Sequence, residues 1–315
     1  MSRLVTLGES IGVVRSTAHG GFALLGDAQV GVGGAESNSA IAARRLGVAA
    51  CWVSRVGDDA IGRRVVRELR AEGVDVRAAV DPMAPTGILL KDTPRSGVTE
   101  VQYYRAGSAA SRLDTHDIDR AELVADDVLH LTGITPALSV SAQRAVFGAL
   151  AAARAVGARV AFDVNHRSRL WSSDHARPIY RRLVAAADLV FAGDDEVALV
   201  LGTDATDGPE ALARGLSALG PSEVVMKLGD RGAGSLVAGV WSARPAVPVA
   251  VADTVGAGDA FAGAYLAGLM QGRDAAARLE LAIRNGAAAC THPGDWEGAA
   301  THTELATWAA HDVIR

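Results

Sequence analysis

The chain has 315 residues, which is enough for one large folded core. Of these residues 49% are hydrophobic and 21% are charged, an ordinary globular composition that excludes the disordered and fibrous classes. The formal net charge of −5 comes without any run of Lys or Arg, so the basic face that nucleic-acid binding requires is not expected.

Other features restrict where the protein works. No apolar stretch approaches the roughly 20 residues that a membrane-spanning helix needs, so no membrane partner is expected. Two cysteines, Cys51 and Cys290, lie far apart and have no metal-ligand spacing around them. They predict buried thiols and not a disulfide framework. The N-terminus also lacks the long apolar run of a secretory signal, and together these features predict a cytoplasmic protein.

Short apolar runs alternate with amphipathic stretches along most of the chain, which is typical of a parallel sheet covered by helices on both faces. Strands are predicted, in chain order, at 4–8, 50–56, 128–132, 159–163, 189–192 and 223–228. Helices are predicted at 37–46, 60–72, 139–156, 258–271 and 275–290. Most of these strands are almost continuously apolar, which predicts burial on both faces. The predicted fold class is therefore α/β.

Two segments interrupt this alternation. Residues 11–32 and 86–106 contain short strand-like runs joined by Gly, Pro and polar turns, which predicts a small separate sheet. No shift of composition and no internal repeat marks a second independent domain. We therefore predict one domain over 1–315, with a lid formed by these two segments.

The run from Asp253 to Phe261, DTVGAGDAF, passes from a polar turn directly into an amphipathic helix. Gly256, Ala257 and Gly258 carry little or no side chain, so their N–H groups can approach an anion at the positive end of the helix dipole. Asp259 follows in the first turn of the helix, where its carboxylate can take a proton from an attacking hydroxyl. The alternative is that Asp259 only complements the helix dipole.

This unbroken run resembles the C-terminal signature of the ribokinase-like, or PfkB, family of carbohydrate kinases. The resemblance implies a Rossmann-type three-layer core with a mostly parallel sheet and a β lid. It implies that phosphate passes from ATP, with Mg²⁺, to a sugar hydroxyl, with Asp259 as catalytic base and the Gly256, Ala257 and Gly258 turn as anion hole. It leaves open an effect of a monovalent cation.

A second part of the resemblance is a glycine pair that opens the first long helix. It implies that Gly33, Gly34 and Asn38 line the sugar site. Without the family, the glycines could suggest a dinucleotide fingerprint, but Glu36 fills the position of its last glycine. Asn38 could also cap the backbone of its own helix.

The nucleotide site is expected on a glycine-rich turn after a buried strand. By resemblance, Lys227, Gly229 and Gly232 border ATP, although a simple hairpin would explain the same glycines. The resemblance also places Asn285 against the adenine ring. From the residue pattern alone, Asn285 could as well be a solvated helix residue.

An acidic cluster follows the strand predicted at 189–192, at the end where open α/β sheets bind ligands. Hard cations such as Mg²⁺ prefer oxygen ligands, and Glu196 matches the glutamate of the Asn-x-x-Glu motif of the family. Gly193 stands where the family has asparagine. The alternative role for this cluster is capping of the next helix by Asp194 or Asp195.

The choice of sugar depends on a second set of residues. Strand alternation puts Tyr103 and Arg105 on one face, where the guanidinium could pair with a carboxylate in bidentate fashion. Arg167, after the strand predicted at 159–163, supplies a second cation. Two arginines predict an anionic substrate, whereas an ordinary lid strand with a surface Arg is the alternative.

Within the family, the chain most resembles the kinases of 2-keto-3-deoxygluconate. That resemblance implies that the sugar acid contacts Gly34, Tyr103, Arg105, Arg167, Asp259 and Asp295. It also implies that Asn165 and Arg167 reach the phosphates. Asp295 could instead be a turn residue.

Three further expectations follow. A fructokinase or ribokinase-type enzyme is the nearest rival, and a sugar- or nucleotide-sensing protein without turnover is a remote one that the intact Asp259 turn disfavours. Exposed edges of the lid strands predict a homo-oligomer.

Overall fold

The computed structural model describes residues 2–17, 20–24, 27–95 and 98–309. The strands are β1 (Arg3–Leu7), β2 (Ile11–Ser16), β3 (Ala28–Gly33), β4 (Ala49–Gly57), β5 (Asp75–Asp81), β6 (Ile88–Arg95), β7 (Val98–Tyr104), β8 (Val128–Thr132), β9 (Arg159–Asp163), β10 (Leu189–Ala192), β11 (Glu223–Lys227), β12 (Ala233–Val237) and β13 (Val240–Arg244). The helices are α1 (Gly21–Leu24), α2 (Ala35–Arg45), α3 (Ala60–Ala71), α4 (Thr135–Leu138), α5 (Val140–Val156), α6 (Ser173–Ala186), α7 (Asp194–Leu201), α8 (Pro209–Ser217), α9 (Ala257–Met270), α10 (Ala275–Cys290) and α11 (His302–Ala309).

The predicted α/β class is confirmed. Each predicted strand matches an observed one within one residue at either end, and each predicted helix matches within two residues. The agreement has a physical cause, because strands buried on both faces are apolar throughout while the covering helices are apolar on one side.

Nine strands form the main sheet in the order β13-β12-β11-β10-β9-β8-β1-β4-β5. All neighbours from β11 to β5 are parallel, and β12 and β13 are added antiparallel at one edge. The chain extends the sheet from β1 through β4 to β5, and then crosses to β8 on the other side of β1. This reversal opens a crevice at the carboxyl ends of β1 and β8, where α/β sheets bind ligands.

Helices cover both faces of the main sheet and give the expected three layers. On one face, α5, α6, α7 and α8 bury side chains such as Val146 and Leu183 against the strands. On the other face, α2, α3, α9 and α10 bury residues that include Ile41, Leu69 and Tyr265. The second face matters most for function, because α2 and α9 both begin at the crevice.

The four remaining strands form a small sheet in the order β3-β2-β6-β7, built from the two segments predicted to be strand-rich. A side chain at Gly12 would lie 2.7 Å from Ile61 of α3, so the even residues of β2 point toward that helix. The opposite side carries a cross-strand row of Gly31, Val13, Leu89 and Tyr103. We call this side the Val13 face.

Two further expectations concern the cysteines and membrane-spanning helices. Neither cysteine is in a disulfide; the Cys51 thiol is buried as predicted, whereas Cys290 is only half-buried. In the described part of the chain, no helix is long and apolar enough to cross a membrane.

Helix α9 packs closely on α2 because Gly263 has no side chain. A methyl group there would collide with the carbonyl oxygen of Ser39 and lie 2.8 Å from the Cβ of Ala42. We predict that Gly263→Ala destabilises the protein by about 1–3 kcal/mol through overpacking. Urea unfolding followed by circular dichroism measures the change.

Gly268→Ala in the same helix is the matched control, since its methyl group would lie 3.1 Å from the Arg278 side chain and no closer than 3.5 Å to a backbone atom of another segment. Both substitutions gain the same helix propensity, up to about 1 kcal/mol. Equal stability of the two variants would contradict the close α2–α9 contact.

Candidate active site

The turn that leads into α9, residues 253–258, lies at the carboxyl edge of the main sheet and is shaped to hold an anion; we call it the phosphate turn. Gly256 has φ +76°, and a side chain there would strike the carbonyl oxygen of Asp295. A side chain at Gly258 would meet no atom within 4 Å, so this position faces open space. Within the described chain, nothing accepts a hydrogen bond from the amides of Gly258 and Asp259. These amides, at the positive end of the helix dipole, are available to a phosphate oxygen.

Asp259 lies beside these amides and is only 9% exposed. Burial raises its pKa to about 6, and nearby Asp163 acts in the same direction. The hydrogen bond from Asn38 and the positive charges of Arg167 and Lys227 oppose the increase. A carboxylate with such a pKa is ionised at neutral pH and still basic enough to accept a proton.

Asn38 is bound to the protein on both sides of its amide. Its Nδ2 donates to Asp259 Oδ2 over 2.8 Å, and its Oδ1 accepts from the Gly34 amide at 3.3 Å. In this arrangement Asn38 holds Asp259, and its contact with the sugar stays a prediction. The alternative role, capping of the helix backbone, applies to the side-chain Oδ1 only, which accepts from the Gly34 amide.

Gly33 and Gly34 are required by close approaches of other segments. A side chain at Gly34 would collide with the carbonyl oxygen of Glu9, and one at Gly33 would lie 2.7 Å from the Asp295 side chain. The glycine pair thus lets the start of α2 lie against the turn after β1 and against the loop that follows α10. That puts both glycines in the crevice where a sugar is expected.

A largely buried ion pair joins the carboxyl ends of β11 and β9. Lys227 Nζ lies 2.6 and 2.8 Å from the two carboxylate oxygens of Asp163. Burial acts to lower the pKa of Lys227, but the negative charges of Asp163 and Glu196 raise it overall. Sequence reasoning assigned no role to Asp163, although an aspartate at the carboxyl end of a buried strand was a usable signal.

Asn165 follows this aspartate in an unusual backbone conformation. Its φ is +36°, and its N–H donates to Asp163 Oδ1 over 3.2 Å. A left-handed conformation of a residue other than glycine costs free energy and is common at functional sites. The turn sets the direction of the chain that carries Arg167, whose side chain is exposed to solvent.

A cavity of about 620 Å³ opens next to the phosphate turn. It is large enough for a nucleotide, and Ala257 and Gly258 form its phosphate end. The other predicted nucleotide residues that line it are Lys227, Gly229 and Gly232. Its apolar walls come from Val247, Val249, Val251, Phe261, Ile283 and Ala287. Gly229 and Gly232 also form the turn between antiparallel β11 and β12, which confirms the hairpin interpretation, while their contact with ATP stays a prediction.

The prediction for Asn285 is corrected. Its side chain is completely buried, Nδ2 donates to the Ala300 carbonyl at 3.0 Å, and Oδ1 accepts from the Ala300 amide at 3.2 Å. Its neighbours Ile283, Gly286 and Ala287 line the cavity instead. Asn285 therefore fixes the chain after α10, and its buried side chain does not line the cavity.

Glu196 caps α7, the role that had been given to Asp194 or Asp195 as an alternative. Its oxygens accept from the amides of Gly193 and His166, both at 2.8 Å, while Asp194 pairs with Arg231. The capping prediction for the two aspartates is therefore wrong, because Glu196 reaches back to the first amide itself.

The donor set at Glu196 fits a metal ion held mainly by phosphates. Each of its carboxylate oxygens has accepted one hydrogen bond and keeps a lone pair for an ion or its water. No group of three metal-binding side chains occurs among the described residues. Mg²⁺ needs no such group, since it keeps several waters and binds one or two carboxylates together with substrate phosphates.

Arg105 already has a carboxylate partner within the protein. Its Nε donates to Glu9 Oε2 over 2.6 Å, and its Nη2 contacts the same oxygen. The guanidinium carbon lies 5.5 Å from the ring centre of Tyr103, so the two side chains are neighbours, as their predicted common face requires. Glu9 was missed, although it stands directly after β1 at the edge where ligands bind.

Asp295 lies wedged between Gly33 and Gly256. Burial raises its pKa to about 7, the charge of Glu297 adds to this, and Lys91 opposes it. Lys91 of β6 also forms an ion pair with Asp253 in the phosphate turn. The Val13 face of the small sheet is therefore joined to the phosphate turn.

Together, the parallel sheet, the phosphate turn and the carboxylate beside it define an enzyme that transfers phosphate to a hydroxyl. Residues 1–301 match the model of the pfkB family of carbohydrate kinases. The chain therefore belongs to the pfkB carbohydrate kinase family.

Individual relatives span almost the whole chain. A 2-dehydro-3-deoxygluconokinase of Thermoproteus tenax is 38% identical over 94% of this chain and 91% of its own length. One from Bacillus subtilis (strain 168) is 35% identical over 96% and 94%. The crystal structure of an E. coli ribokinase II in complex with ATP and Mg²⁺ matches with a TM-score of 0.89 at 27% identity, covering 99% of this chain and all of that one.

The environment of Asp259 predicts the pH dependence of turnover. Because its pKa is raised to about 6 and the carboxylate is the active form, kcat/KM should fall as the pH drops through about 6. Asn38→Ala removes a hydrogen bond that lowers this pKa, so the fall should begin at higher pH, by up to about one unit. ADP release measured between pH 5 and 9 gives the profiles.

Ser39→Ala is the matched control. The Ser39 hydroxyl donates to the backbone carbonyl of Asp259 at 3.2 Å and does not contact its carboxylate. Its profile should keep the wild-type midpoint. An unshifted profile for Asn38→Ala would show that Asn38 does not set the pKa of Asp259.

Proposed function

We propose that this chain transfers the γ-phosphate of ATP to the C6 hydroxyl of 2-keto-3-deoxygluconate, giving 2-keto-3-deoxy-6-phosphogluconate. The observation that carries the proposal is Asp259, a buried carboxylate of raised pKa beside two amides that have no acceptor among the described residues and beside a cavity large enough for a nucleotide. The two full-length relatives, both named 2-dehydro-3-deoxygluconokinase, support the choice of sugar acid. So do the cations Arg105 and Arg167.

The proposed reaction uses residues of this chain in distinct roles. Asp259 accepts the proton of the C6 hydroxyl as the oxygen attacks the γ-phosphorus, and the bond from that phosphorus to the β–γ bridging oxygen breaks, releasing ADP. The amides of Gly258 and Asp259 face the charge that develops on the transferred group. Lys227, held by Asp163, and Arg167 supply positive charge nearby.

Magnesium belongs to this proposal as the companion of ATP. Glu196 would hold the ion together with water, and Mg²⁺ would neutralise negative charge on the phosphates of ATP. Comparing potassium with sodium salts in the same assays would test whether a monovalent cation also contributes.

We also propose that residues 1–315 act as a single kinase domain in which the small sheet serves as a lid. Lys91 and Arg105 already join its Val13 face to the phosphate turn and to the turn after β1. A lid here would exclude water, which competes with the sugar hydroxyl as acceptor.

A homo-oligomer in the cytoplasm is the proposed state of the enzyme. Strands β3 and β7 form the outer edges of the small sheet, and exposed strand edges commonly pair with another chain. We predict a mass of at least two chains in light scattering at micromolar protein. A mass of one chain would contradict the oligomer.

The two free thiols fit a reducing compartment, which supports the proposed cytoplasmic location.

One observation favours a second candidate, a kinase of neutral sugars such as fructose or ribose. Because Glu9 pairs with Arg105, the charge of this arginine is partly balanced before any substrate arrives. A substrate carboxylate would then gain less from it, and a neutral sugar could use the same pocket.

A substrate panel separates the two candidates. We predict turnover with 2-keto-3-deoxygluconate and 2-keto-3-deoxygalactonate, and little with fructose or ribose, when ADP release is measured with MgATP. Asp259→Asn should lower kcat by roughly 10²–10⁴-fold, because the amide cannot accept the proton.

Two results serve as checks on this panel. Asp259→Asn keeps the size of the side chain and removes a negative charge near the phosphates, so in calorimetry it should bind ATP at least as tightly as the wild type. A preference for fructose or ribose would overturn the sugar-acid assignment and leave the kinase assignment intact. Full activity of Asp259→Asn would overturn the role of Asp259.

A further inference from the structure

Glu9 is a buried carboxylate that no part of the proposed reaction uses. It follows β1 at the crevice, and its side chain is 1% exposed while that of Arg105 is 12% exposed. Nε and Nη2 of Arg105 both contact its Oε2, and the Ser108 hydroxyl donates to its Oε1. The carboxylate is thus held by groups on the segment that leaves the small sheet.

The space around Glu9 is built by two glycines. Its carbonyl oxygen lies where a side chain at Gly34 would be, and its Oε1 lies 2.9 Å from the position of a Cβ at Gly87. The same Cβ would lie 3.2 Å from the Cβ of Arg105. Glu9 therefore contacts two segments: its backbone lies against Gly34, before α2, and its side chain lies against Arg105, after β7.

The ion pair with Glu9 occupies one edge of the Arg105 guanidinium and leaves a second edge for a ligand. Nε and Nη2 are used by Glu9, whereas no acceptor in the described part of the chain lies within hydrogen-bond distance of Nη1. Tyr103 covers one face of the group at 5.5 Å. Only a narrow range of directions remains open to a ligand.

We propose that Glu9 is a positioning residue that fixes Arg105 so that its Nη1 points at the carboxylate of the sugar acid. This inference rests on the proposed function. By balancing part of the charge of Arg105, Glu9 also disfavours loosely placed anions, so selectivity depends on the position of the carboxylate. The Glu9–Arg105 ion pair, which was the argument for a neutral sugar, thus favours a sugar acid in this proposal.

Steady-state kinetics of Glu9→Gln test the inference. The variant keeps the shape but loses the charge that orients Arg105, and a charge-assisted hydrogen bond is lost with it. KM for 2-keto-3-deoxygluconate should rise about 10- to 100-fold, while kcat and KM for ATP stay within about twofold. Glu100→Gln, the same change at an exposed site on β7, is the matched control and should leave all three constants unchanged.

A double variant separates positioning from a purely structural role. If Glu9 acts through Arg105, Glu9→Gln/Arg105→Lys should have a KM for the sugar acid no higher than Arg105→Lys alone. If Glu9 only stabilises the fold, the two effects should multiply and KM for ATP should rise too. That result would overturn the inference.

The remaining outcomes are also decisive. If Glu9→Gln does not fold, Glu9→Asp serves as the second variant, because it keeps the charge but has a shorter side chain. Its KM for the sugar acid should rise at constant kcat. An unchanged KM would refute the positioning role of Glu9. A wild-type enzyme that prefers neutral sugars would overturn the proposed substrate and this inference together. A wild-type enzyme specific for the keto acid, with unchanged KM in Glu9→Gln, would overturn the inference alone.

Discussion

The close contact between α2 and α9 is the constraint on which the site depends. Gly263 lets α9 approach the Ser39 carbonyl, and at that separation Asn38 lies 2.8 Å from the carboxylate of Asp259. Both helices begin at the crevice, so one contact sets the distance between the sugar-side glycines and the phosphate turn. A small shift between the helices would move the base relative to both substrates, and phosphoryl transfer tolerates little misplacement.

Charge burial around this contact follows a consistent pattern. Three carboxylates at the site, those of Asp163, Asp253 and Glu9, pair with cations. In the described chain, Asp259 and Asp295 have no cation at ion-pair distance, and burial raises their pKa values to about 6 and about 7. An unpaired buried carboxylate is costly, and such groups are enriched at catalytic sites because they can exchange protons near neutral pH.

The small sheet adds recognition to this chemistry. Its ion pairs with the core, Lys91 with Asp253 and Arg105 with Glu9, place its Val13 face against the crevice. A guanidinium that is held on one edge can bind a ligand on the other edge with little further loss of side-chain conformational entropy. The ability to choose an acid over a neutral sugar would then depend on a residue of the core and not on the small sheet alone.

The sequence by itself determined the fold class, the bounds of six strands and five helices, and the glycine-rich turn before α9, because apolar periodicity and a glycine-rich helix start are local properties. It also singled out Asp259, Lys227, Arg105 and Glu196 as candidates for the site. It could not find the partners of these residues, since pairs such as Asn38 with Asp259 or Glu9 with Arg105 join segments 221 and 96 positions apart. It misjudged Asn285 for the same reason, because only the folded chain brings Ala300 to both ends of that amide. The tertiary structure alone decided which side chains are free for a ligand and which are already bound.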